Sequence, residues 1–398
     1  MLSYKQALEK ILKYSFTLKV KLLVLREALG LVVAKDIYSQ EPFPSFDNSA
    51  VDGYAISLGS NGSDLSESLK LQGEVRAGEI FKEGLKSDHA IRIFTGAPIP
   101  RGTQAVVMQE HTERINGSVI LLKLPKLNDN IRFRGEDFLK GTILVKKGTL
   151  LGPTHLALLA TVGYKKIPVY PSAKVAILAT GSELLKLGKG LKPGKIRDSN
   201  SILLEALVKQ VGGDPFSFPS VGDNPRAICS RIRKGFKSDM LLISGGVSVG
   251  KYDFVREVLK KEGVKEIFWK VDIKPGKPLF FGKKDQTLIF GLPGNPVSVF
   301  VTFLEFVKPA ILEMQGAKKK SEEWIQGKLT KGFQNGSRLH FVRVQCQRQG
   351  KGFAVTPLKG QGSHMIGSLA SSNALLQVKP NAVLKRNQLV SVKLIGGE

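Results

Sequence analysis

KVAILATGSELL, at residues 174–185, is a short apolar run that ends in a glycine-containing loop, and this pattern predicts a buried strand. The next segment, DSNSILLEALVKQVGG (198–213), begins with helix-capping residues and stops at two glycines, which predicts a helix. Two more apolar runs, DMLLISGG (239–246) and TLIFGL (287–292), are each followed by a helical pattern. Strands that alternate with helices predict an α/β fold with a doubly wound, mostly parallel sheet that binds ligands at the carboxyl ends of its strands.

The flanking segments have a different pattern, and we expect four subdomains in all. Residues 42–138 are rich in glycine, proline and short β-type runs, which predicts a β-rich insertion. Residues 1–41 and 139–172 combine an amphipathic helix, a hairpin and a short helix, and are expected to form a linker-type N-terminal subdomain. The α/β domain is expected at 173–315, and the alternating runs and turns of 316–398 predict a small β-barrel or sandwich, of which we expect the barrel.

Composition and charge disfavour several classes of protein. The 398 residues include two cysteines in no CxxC motif, so neither a disulfide framework nor a cysteine-rich zinc site is expected. The five histidines have no metal-ligand spacing, and no HExxH motif or Cys/His arrangement appears, which disfavours nucleophilic hydrolase chemistry. The net charge of +26 comes from scattered lysines without a nucleic-acid-binding motif. A generally basic surface is favoured, with attraction of an anionic small substrate or nucleic-acid binding as the alternatives.

No targeting or membrane segment is expected. The N-terminal stretch MLSYKQALEKILKYSF is interrupted by lysines and a glutamate, so it predicts an amphipathic helix and not a signal peptide. The apolar stretch Leu288–Leu312 is broken by prolines, glycine, Glu305 and Lys308, so it lacks the roughly 20 unbroken apolar residues of a membrane span. We therefore expect a cytoplasmic protein.

Two segments have both a structural and a functional interpretation. PFPSFDNSAVDGYAI (42–56) is either an Asx-turn that bends the chain or a rim on which Asp52 faces a ligand. In ILATGSELL (177–185), Gly181 and Glu183 follow a strand, where we expect a helix start whose N–H groups hold an oxyanion. A carboxylate there would repel a bare anion unless a cation lies between them, so Glu183 is a candidate magnesium or substrate ligand, with helix capping as the alternative.

Two further segments suggest anion binding. ISGGVSVGKYD (243–253) is a glycine-rich loop whose backbone amides can approach phosphate, although it has neither a GKS/GKT nor a GxGxxG motif. Its last residue, Asp253, is a candidate ligand or only a helix N-cap. KVDIKPGKPLFFG (270–282) groups three lysines around a Pro-Gly turn, and PGNP (293–296) begins a helix with free amides. Together they predict a preorganised anion site.

These segments, in this order, resemble the MoeA family of molybdopterin molybdenumtransferases, which also includes the E domain of gephyrin. The resemblance covers essentially the whole chain. It implies a molybdopterin-binding fold for the α/β domain and an elongated homodimer. The family's reaction inserts molybdenum from molybdate into adenylylated molybdopterin and releases AMP, with Mg²⁺ as cofactor. The motifs that carry the resemblance are FDNSAVDGYA, IFTGAPIPRG with VVMQEH, RGED, ATGSEL, GKIRDSN, ISGGVSVG with Asp253, KPGKP and GLPGNPVS.

The candidate site residues follow from the resemblance together with the loops described above. The expected catalytic residues are Asp52, Asp137, Glu183, Asp253, Lys270 and Lys274, of which Glu183 and Asp253 are the expected magnesium ligands. The expected substrate-binding residues are Thr95, Gly181, Ser182, Asp223, Gly245, Gly246, Ser248, Lys277, Pro293 and Pro296. The resemblance further implies that the active cleft is shared between the α/β domain of one subunit and the insertion domain of its partner.

The chain departs from the family pattern at a few positions, and other functions remain open. Arg101, Thr103, Gln104 and Lys251 replace residues that are usually acidic or small, and Ser182 replaces a frequent aspartate that could bind a cation. The adenylyltransferase of the same pathway is disfavoured because it is essentially the α/β domain alone. A scaffold like gephyrin is disfavoured because the chain has no long linker or second enzymatic domain. The expected partners are that adenylyltransferase and the recipient molybdoenzymes, with no nucleic acid and no membrane.

Overall fold

The computed structural model describes residues 1–58, 68–246, 254–317 and 324–395. The backbone divides into two compact units. One comprises Met1–Lys35, Gly148–Gly152 and Lys166–Glu398, and the other comprises Asp36–Lys147 and Pro153–Lys165. The four subdomain boundaries expected from the sequence are a finer division, and they stay a prediction.

The first unit is built around a central sheet of six strands. In sheet order these are Asp214–Ser217, Lys174–Ala179, Met240–Ser244, Thr287–Leu292, Phe280–Lys284 and Lys265–Trp269. The first four are parallel, which confirms the mostly parallel sheet, and the last two pair antiparallel. The antiparallel edge arises because a two-residue turn at Asp285, which has φ +50°, folds the chain back before Thr287–Leu292.

Helices cover both faces of the central sheet, so the doubly wound prediction is confirmed. They are Asn200–Gln210, Pro225–Gly235, Phe254–Lys261, Pro296–Thr302 and Lys308–Met314, the last two joined by a π-helical turn at Phe303–Val307. Strand side chains alternate between the faces: Val175 and Ile177 pack in one buried cluster, and Ala176 and Leu178 in the other. The helix predicted at 253–263 is described from Phe254, because Asp253 lies outside the described residues.

The N-terminal segment adds a helix and a small sheet to this unit. The helix Tyr4–Tyr14 starts with a reciprocal capping box between Ser3 and Gln6 and buries Ala7 and Ile11 in the core. Three antiparallel strands follow, in the sheet order Lys21–Val24, Lys166–Tyr170 and Val32–Val33, with a 3₁₀ turn at Leu25–Glu27. The chain before residue 41 therefore pairs with the segment that precedes the α/β domain.

The C-terminal part forms the small barrel that the sequence predicts. Its five strands are Trp324–Leu329, Leu339–Gln349, Gly352–Pro357, Ala374–Val378 and Leu389–Leu394. The sheet closes because Leu339–Gln349 pairs with both Gly352–Pro357 and Ala374–Val378. The short strand Ile273–Lys274 extends it in parallel with Leu339–Gln349. The remaining elements are the strand pair Phe333–Gln334 and Val383–Leu384 and the helix Ile366–Ala370.

The second unit is β-rich, as expected for the insertion. Its six-stranded sheet has the order Ala105–Met108, Gly53–Ile56, His89–Ile93, Ser68–Val75, Ser118–Leu121 and Thr112–Ile115. Two short antiparallel pairs, a 3₁₀ turn and one helix complete it: Asn48–Ser49 with Ile131–Arg132, Ile37–Tyr38 with Ile143–Val145, Gln109–His111 and Pro153–Thr161. Across the described ranges of both units, no helix combines the length and the apolar character needed to cross a membrane.

A buried ion pair joins three segments of the first unit. Lys393 Nζ, on the last barrel strand, lies 3.1 Å from Glu305 Oε1, and the two side chains are only 8% and 4% exposed. Tyr4 Oη, on the N-terminal helix, donates a hydrogen bond of 2.7 Å to Glu305 Oε2. Glu305 itself lies in the π-helical turn. The buried carboxylate is therefore satisfied by two groups that are far from it in sequence.

We expect Lys393→Met to lower the free energy of unfolding by about 3–5 kcal/mol, because it leaves the carboxylate of Glu305 buried without its cation. The double variant Glu305→Gln/Lys393→Met should recover much of this loss, since no unpaired charge remains. Urea denaturation monitored by circular dichroism measures both. Lys328→Met, at an exposed lysine of the same barrel, is the matched control and should change stability by less than about 0.5 kcal/mol. An equal effect of Lys393→Met and Lys328→Met would contradict this role of the ion pair.

Candidate functional site

Three loops meet at the carboxyl edge of the parallel strands. Thr180 N donates to Ser244 O at 2.9 Å, and Gly245 N donates to Leu292 O at 3.1 Å, so the three strand ends are joined by backbone hydrogen bonds. Gly245 has φ +90°, and a Cβ at this position would collide with the carbonyl of Thr180. The close approach of the loops therefore requires glycine here. The candidates Gly181, Gly245, Gly246, Pro293 and Pro296 all lie at this edge of the sheet.

The first loop contains Ser182 and Glu183 and is tied to Asp223. Ser182 N donates to Asp223 Oδ2 at 3.1 Å, and Asp223 N donates back to Ser182 Oγ at 2.9 Å. The carboxylate of Glu183 lies over Cα of Gly181, which has φ +152°. Within the described residues this carboxylate forms no hydrogen bond or ion pair, so it is available to a ligand.

The helix start that the sequence predicts at Gly181 and Glu183 is wrong. The chain enters a short strand, Leu184–Leu185, which pairs in parallel with Ile196–Arg197. The loop between these strands, residues 186–195, contains three glycines and a proline, which disfavour a helix. No helix dipole can therefore hold an oxyanion at this loop, and Glu183 does not cap a helix.

The PGNP loop is connected to the barrel. Val297 N, in the first turn of the helix Pro296–Thr302, donates to Ser363 O at 3.2 Å, and Asn295 Nδ2 donates to Ser363 Oγ at 2.9 Å. The expectation that the amides at this helix start are free is therefore wrong for Val297. A barrel loop already satisfies that amide and becomes part of the wall of the site.

This barrel loop is held by Arg343, a residue that the sequence analysis does not find. Arg343 is fully buried, and its Nη2 donates to Gly360 O at 2.7 Å and to Gly362 O at 3.1 Å. Its backbone N and O bond to the side-chain amide of Gln361 at 3.0 and 2.9 Å. Arg343 Nε and Nη1 are buried and have no partner among the described residues. Burial lowers the pKa of this guanidinium, whose unused donors could bind an anion.

The lysine loop lies against the helix that follows PGNP. Gly276 has φ +107°, and a Cβ there would lie 2.6 Å from the methyl group of Thr302 in that helix. Lys270 Nζ is 3.8 Å from the centre of the Trp269 ring, so this ammonium already has a cation–π partner. Lys274 and Lys277 are exposed, and no carboxylate forms an ion pair with either of them in the described part of the chain.

His340 lies beside this loop, close to several positively charged side chains. Its Nδ1 is 3.2 Å from Asn335 Oδ1, and its Nε2 is buried without a partner among the described residues. Burial, followed by the charges of Lys274, Arg343 and Arg338, lowers the pKa of His340 to about 4. The imidazole is therefore neutral at pH 7, and three permanent cations remain near it.

The second unit brings Asp52 and Thr95 together. Asp52 Oδ1 accepts hydrogen bonds from Thr95 N at 2.8 Å and from Thr95 Oγ1 at 2.7 Å. The backbone and then the side-chain hydrogen bond from Thr95, helped by the charge of Arg92, lower the pKa of Asp52. Asp52 is thus a carboxylate at neutral pH. The functional interpretation of the 42–56 segment, in which Asp52 faces a ligand, stays a prediction.

The loop that carries Asp137 packs on the same turn. Asp137 N donates to Phe43 O at 3.0 Å, and Arg134 N donates to Asp47 Oδ1 at 2.7 Å. Asp47 therefore links the 42–56 segment to the loop that carries Asp137 through a long-range contact and not a local Asx-turn, while the carboxylate of Asp137 is exposed. Gln104, one of the departures from the family pattern, is also structural here, since its Oε1 accepts from Leu58 N at 2.7 Å.

The remaining candidates belong to the magnesium site that the sequence predicts. Ser248, Lys251 and Asp253 lie outside the described residues, so Glu183 is the one predicted magnesium ligand that the structure places. In the described ranges, no group of three or more His, Cys, Asp or Glu side chains could hold a metal ion. Magnesium in phosphate sites commonly uses one or two carboxylates together with phosphate and water oxygens, so the free carboxylate of Glu183 fits such a ligand.

Comparison with known proteins covers nearly the whole chain. Residues 2–163 match the model of the MoeA N-terminal region (domain I and II), residues 176–313 match a probable molybdopterin binding domain, and residues 326–395 match the MoeA C-terminal region (domain IV). A molybdopterin molybdenumtransferase of Haemophilus influenzae is 40% identical over 389 residues, covering 94% of each chain. One of Staphylococcus aureus (strain MRSA252) is 32% identical over 380 residues, covering 94% of this chain and 90% of that protein.

A solved structure agrees with these matches. The molybdopterin biosynthesis MoeA protein of Pyrococcus horikosii has a TM-score of 0.84 and 30% sequence identity, with 100% of each chain covered. Identity at this level over full length, together with the arrangement of loops at the sheet edge, confirms the resemblance derived from the motifs. The chain belongs to the MoeA family of molybdopterin molybdenumtransferases and is a transferase.

Proposed function

We propose that this protein inserts molybdenum from molybdate into adenylylated molybdopterin and releases AMP. Both substrates are anions: molybdate is a tetrahedral oxyanion, and the adenylylated pterin carries a phosphoanhydride. The relatives named above support the transfer of molybdenum to molybdopterin. The finer parts of the proposal rest on the chemistry of the loops at the sheet edge and beside the barrel.

The observation that carries the proposal is the buried guanidinium of Arg343 with two unpaired donor atoms, Nε and Nη1. A buried donor without a partner is costly to folding unless a ligand uses it. Lys274 lies close enough to His340 to lower its pKa, as Arg343 does, and Lys274 has no carboxylate partner among the described residues. This set of cations without counter-charges suits a small dianion such as molybdate.

The glycine loops at the sheet edge suit the pterin phosphate and the adenylyl group. Gly245 and Gly246 both have positive φ, so their backbone can approach an oxyanion closely without a Cβ in the way. Ser182 and Asp223 hold each other in place at the neighbouring loop. We assign the phosphoanhydride to this edge and molybdate to the side that faces Lys274 and Arg343.

In this proposal Glu183 and Asp253 hold Mg²⁺, which would neutralise phosphate charge and stabilise AMP as the leaving group. Water attacks the pterin phosphate, the P–O bond to the bridging oxygen breaks, and AMP leaves with that oxygen. The two dithiolene sulfurs bind molybdenum as thiolates, and their two protons leave with one oxo group of molybdate as water, so molybdenum keeps its oxidation state. Glu183 orients phosphate oxygens, and Lys270, Lys274 and Lys277 attract the anions. Asp52, fixed by Thr95, and Asp137 supply further carboxylates. A homodimer with a shared cleft, and transfer to or from the adenylyltransferase and the recipient molybdoenzymes, complete the proposal.

The first test is the release of AMP from adenylylated molybdopterin by the purified protein. We expect release that requires both molybdate and magnesium, and a loss of at least about tenfold in Glu183→Gln and in Asp253→Asn, because each removes one carboxylate from the phosphate site. Glu257→Gln, at an exposed glutamate on the helix Phe254–Lys261, is the matched control and should keep full activity. Binding of the adenylylated pterin without any release of AMP would contradict the proposed reaction and favour a carrier or scaffold.

The second test uses His340 as a reporter of anion binding. A dianion between Lys274 and Arg343 offsets their charges, so it should raise the pKa of His340 above its value of about 4. Imidazole resonances followed by NMR from pH 3.5 to 7, with sulfate as a tetrahedral dianion and with chloride at equal ionic strength as control, measure this shift. His340→Gln identifies the resonance.

Lys274→Gln provides the matched test of the same cluster. It removes a cation from the neighbourhood, so we expect it to raise the pKa of His340 in the free protein and to weaken the response to sulfate. Lys237→Gln, at an exposed lysine away from this loop, should change neither value. A pKa of His340 that is identical with sulfate and with chloride would show that no dianion binds beside Lys274 and Arg343.

A further inference from the structure

Asn200, the first residue of the helix Asn200–Gln210, connects two of the loops at the sheet edge. Its Nδ2 donates to Ser244 Oγ at 2.9 Å and to Gly294 O at 2.7 Å. Ser244 ends one parallel strand, and Gly294 belongs to the PGNP loop that follows the next. One side-chain amide from a third segment therefore joins both glycine loops.

The two loops have few other polar links to each other. Gly245 N donates to Leu292 O at 3.1 Å, and Ser244 Oγ is a marginal 3.5 Å from Pro293 O. A Cβ placed on Gly294 would lie 4.0 Å from Gly245 Cα, so the backbones nearly touch at this point. The spacing between the loops is therefore sensitive to the group that joins them, and these loops carry the candidates Gly245, Gly246, Pro293 and Pro296.

The ordinary role of asparagine at a helix start does not account for Asn200. Capping is done by Asp198, whose Oδ1 accepts from Ser201 N at 3.0 Å and whose Oδ2 accepts from Ser201 Oγ at 2.6 Å. Asn200 Oδ1 is buried and accepts no hydrogen bond from any described residue. The donor end of the amide makes both contacts, at the cost of a buried, unsatisfied acceptor.

We propose that Asn200 is a positioning residue that sets the distance between the Ser244–Gly246 and Pro293–Pro296 loops for binding of the adenylyl phosphate. The inference rests on the proposed function of this edge, and it adds a residue that the sequence analysis does not include among the site candidates. Asn200 acts through the two loops and not by contact with the reacting atoms. The role depends on its N–H donors, because both partners in the loops offer oxygen atoms.

Because the role depends on N–H donors, it can be tested with two substitutions of Asn200 that remove the donors in different ways and with one control substitution. Asn200→Asp is nearly isosteric, and negative charge at a helix start is favourable on the helix dipole alone. The carboxylate, however, would face the carbonyl oxygen of Gly294 and repel it. Asn200→Ala removes the link without adding repulsion. Ser199→Asp, at the exposed preceding residue that makes no side-chain capping bond, adds the same charge away from the loops and is the matched control.

The first readout is AMP binding, measured by isothermal titration calorimetry on the full chain. We expect affinity to fall at least about tenfold in Asn200→Asp, less in Asn200→Ala, and less than about twofold in Ser199→Asp, with melting temperatures that stay close to wild type. The second readout is amide hydrogen exchange. We expect Asn200→Ala to speed exchange at 244–246 and 293–296 and to leave the helix Asn200–Gln210 unchanged.

The outcomes separate this inference from the proposed function. Wild-type protein that binds no AMP would contradict the proposed function, while the exchange measurement still decides whether Asn200 joins the loops. Unchanged exchange at both loops in Asn200→Ala would overturn the positioning role. Faster exchange confined to the helix Asn200–Gln210 would also overturn it, because Asn200 would then serve only its own helix.

Discussion

Two backbone hydrogen bonds at the carboxyl edge of the central sheet, from Thr180 to Ser244 and from Gly245 to Leu292, hold the ends of three parallel strands together. Parallel strands bring their carboxyl ends to one edge, so the loops that follow them must pack close together. Glycine at position 245 allows the closest approach, because a Cβ there would collide with the Thr180 carbonyl. Ser182 follows Thr180 by two residues, and Asn200 donates a hydrogen bond to Ser244 Oγ, so both residues lie beside this contact.

The electrostatics of the site depend on where its cations lie and how deeply they are buried, as well as on how many cations the chain has. The chain carries a net charge of +26, so cations without an ion-pair partner are common, and the cations of interest at the site are the three that lie near His340. Arg343 is buried with two unused donor atoms, and Lys274 has no carboxylate partner in the described residues. Burial, followed by this local excess of charge, lowers the pKa of His340, because a proton added there would be desolvated and would face three existing positive charges. A preorganised set of this kind binds an anion without first breaking internal ion pairs.

The barrel contributes to the site through specific links to the α/β core. Ser363 binds both Asn295 and the amide of Val297, and the short strand Ile273–Lys274 extends the barrel sheet from the α/β side. The buried pair of Glu305 and Lys393 fixes the same two parts at a second place. Because the barrel contacts the α/β core at two separate places, the barrel loop that is hydrogen-bonded to Arg343 has a defined position over the start of the helix Pro296–Thr302.

Local pattern was sufficient for much of this architecture. Apolar runs followed by glycine loops and amphipathic periodicity predict the parallel strands Lys174–Ala179, Met240–Ser244 and Thr287–Leu292 and the helices after them, because these features depend on near neighbours in the chain. The short alternating runs predict the closed C-terminal barrel. The ordered series of motifs also identifies the family and most of the candidate residues, including Asp52 and Thr95, which the structure joins by hydrogen bonds.

Other features depend on groups that are distant in sequence, and only the tertiary structure decides them. The loop after Gly181 becomes a strand because Ile196–Arg197 offers a partner, and the amide of Val297 is satisfied by a barrel residue 66 positions later. In the sequence, Arg343 is a single charged residue within an apolar run. Only the fold shows that it is buried and that two of its donor atoms have no partner among the described residues. Asn200 has the sequence position of a helix cap, but in the fold its Nδ2 donates a hydrogen bond to the carbonyl of Gly294, 94 positions away. Sequence alone determined the family and a set of candidate residues, because motifs are local. Long-range contacts decided which donors and acceptors of these residues remain unpaired, and they added Arg343 and Asn200.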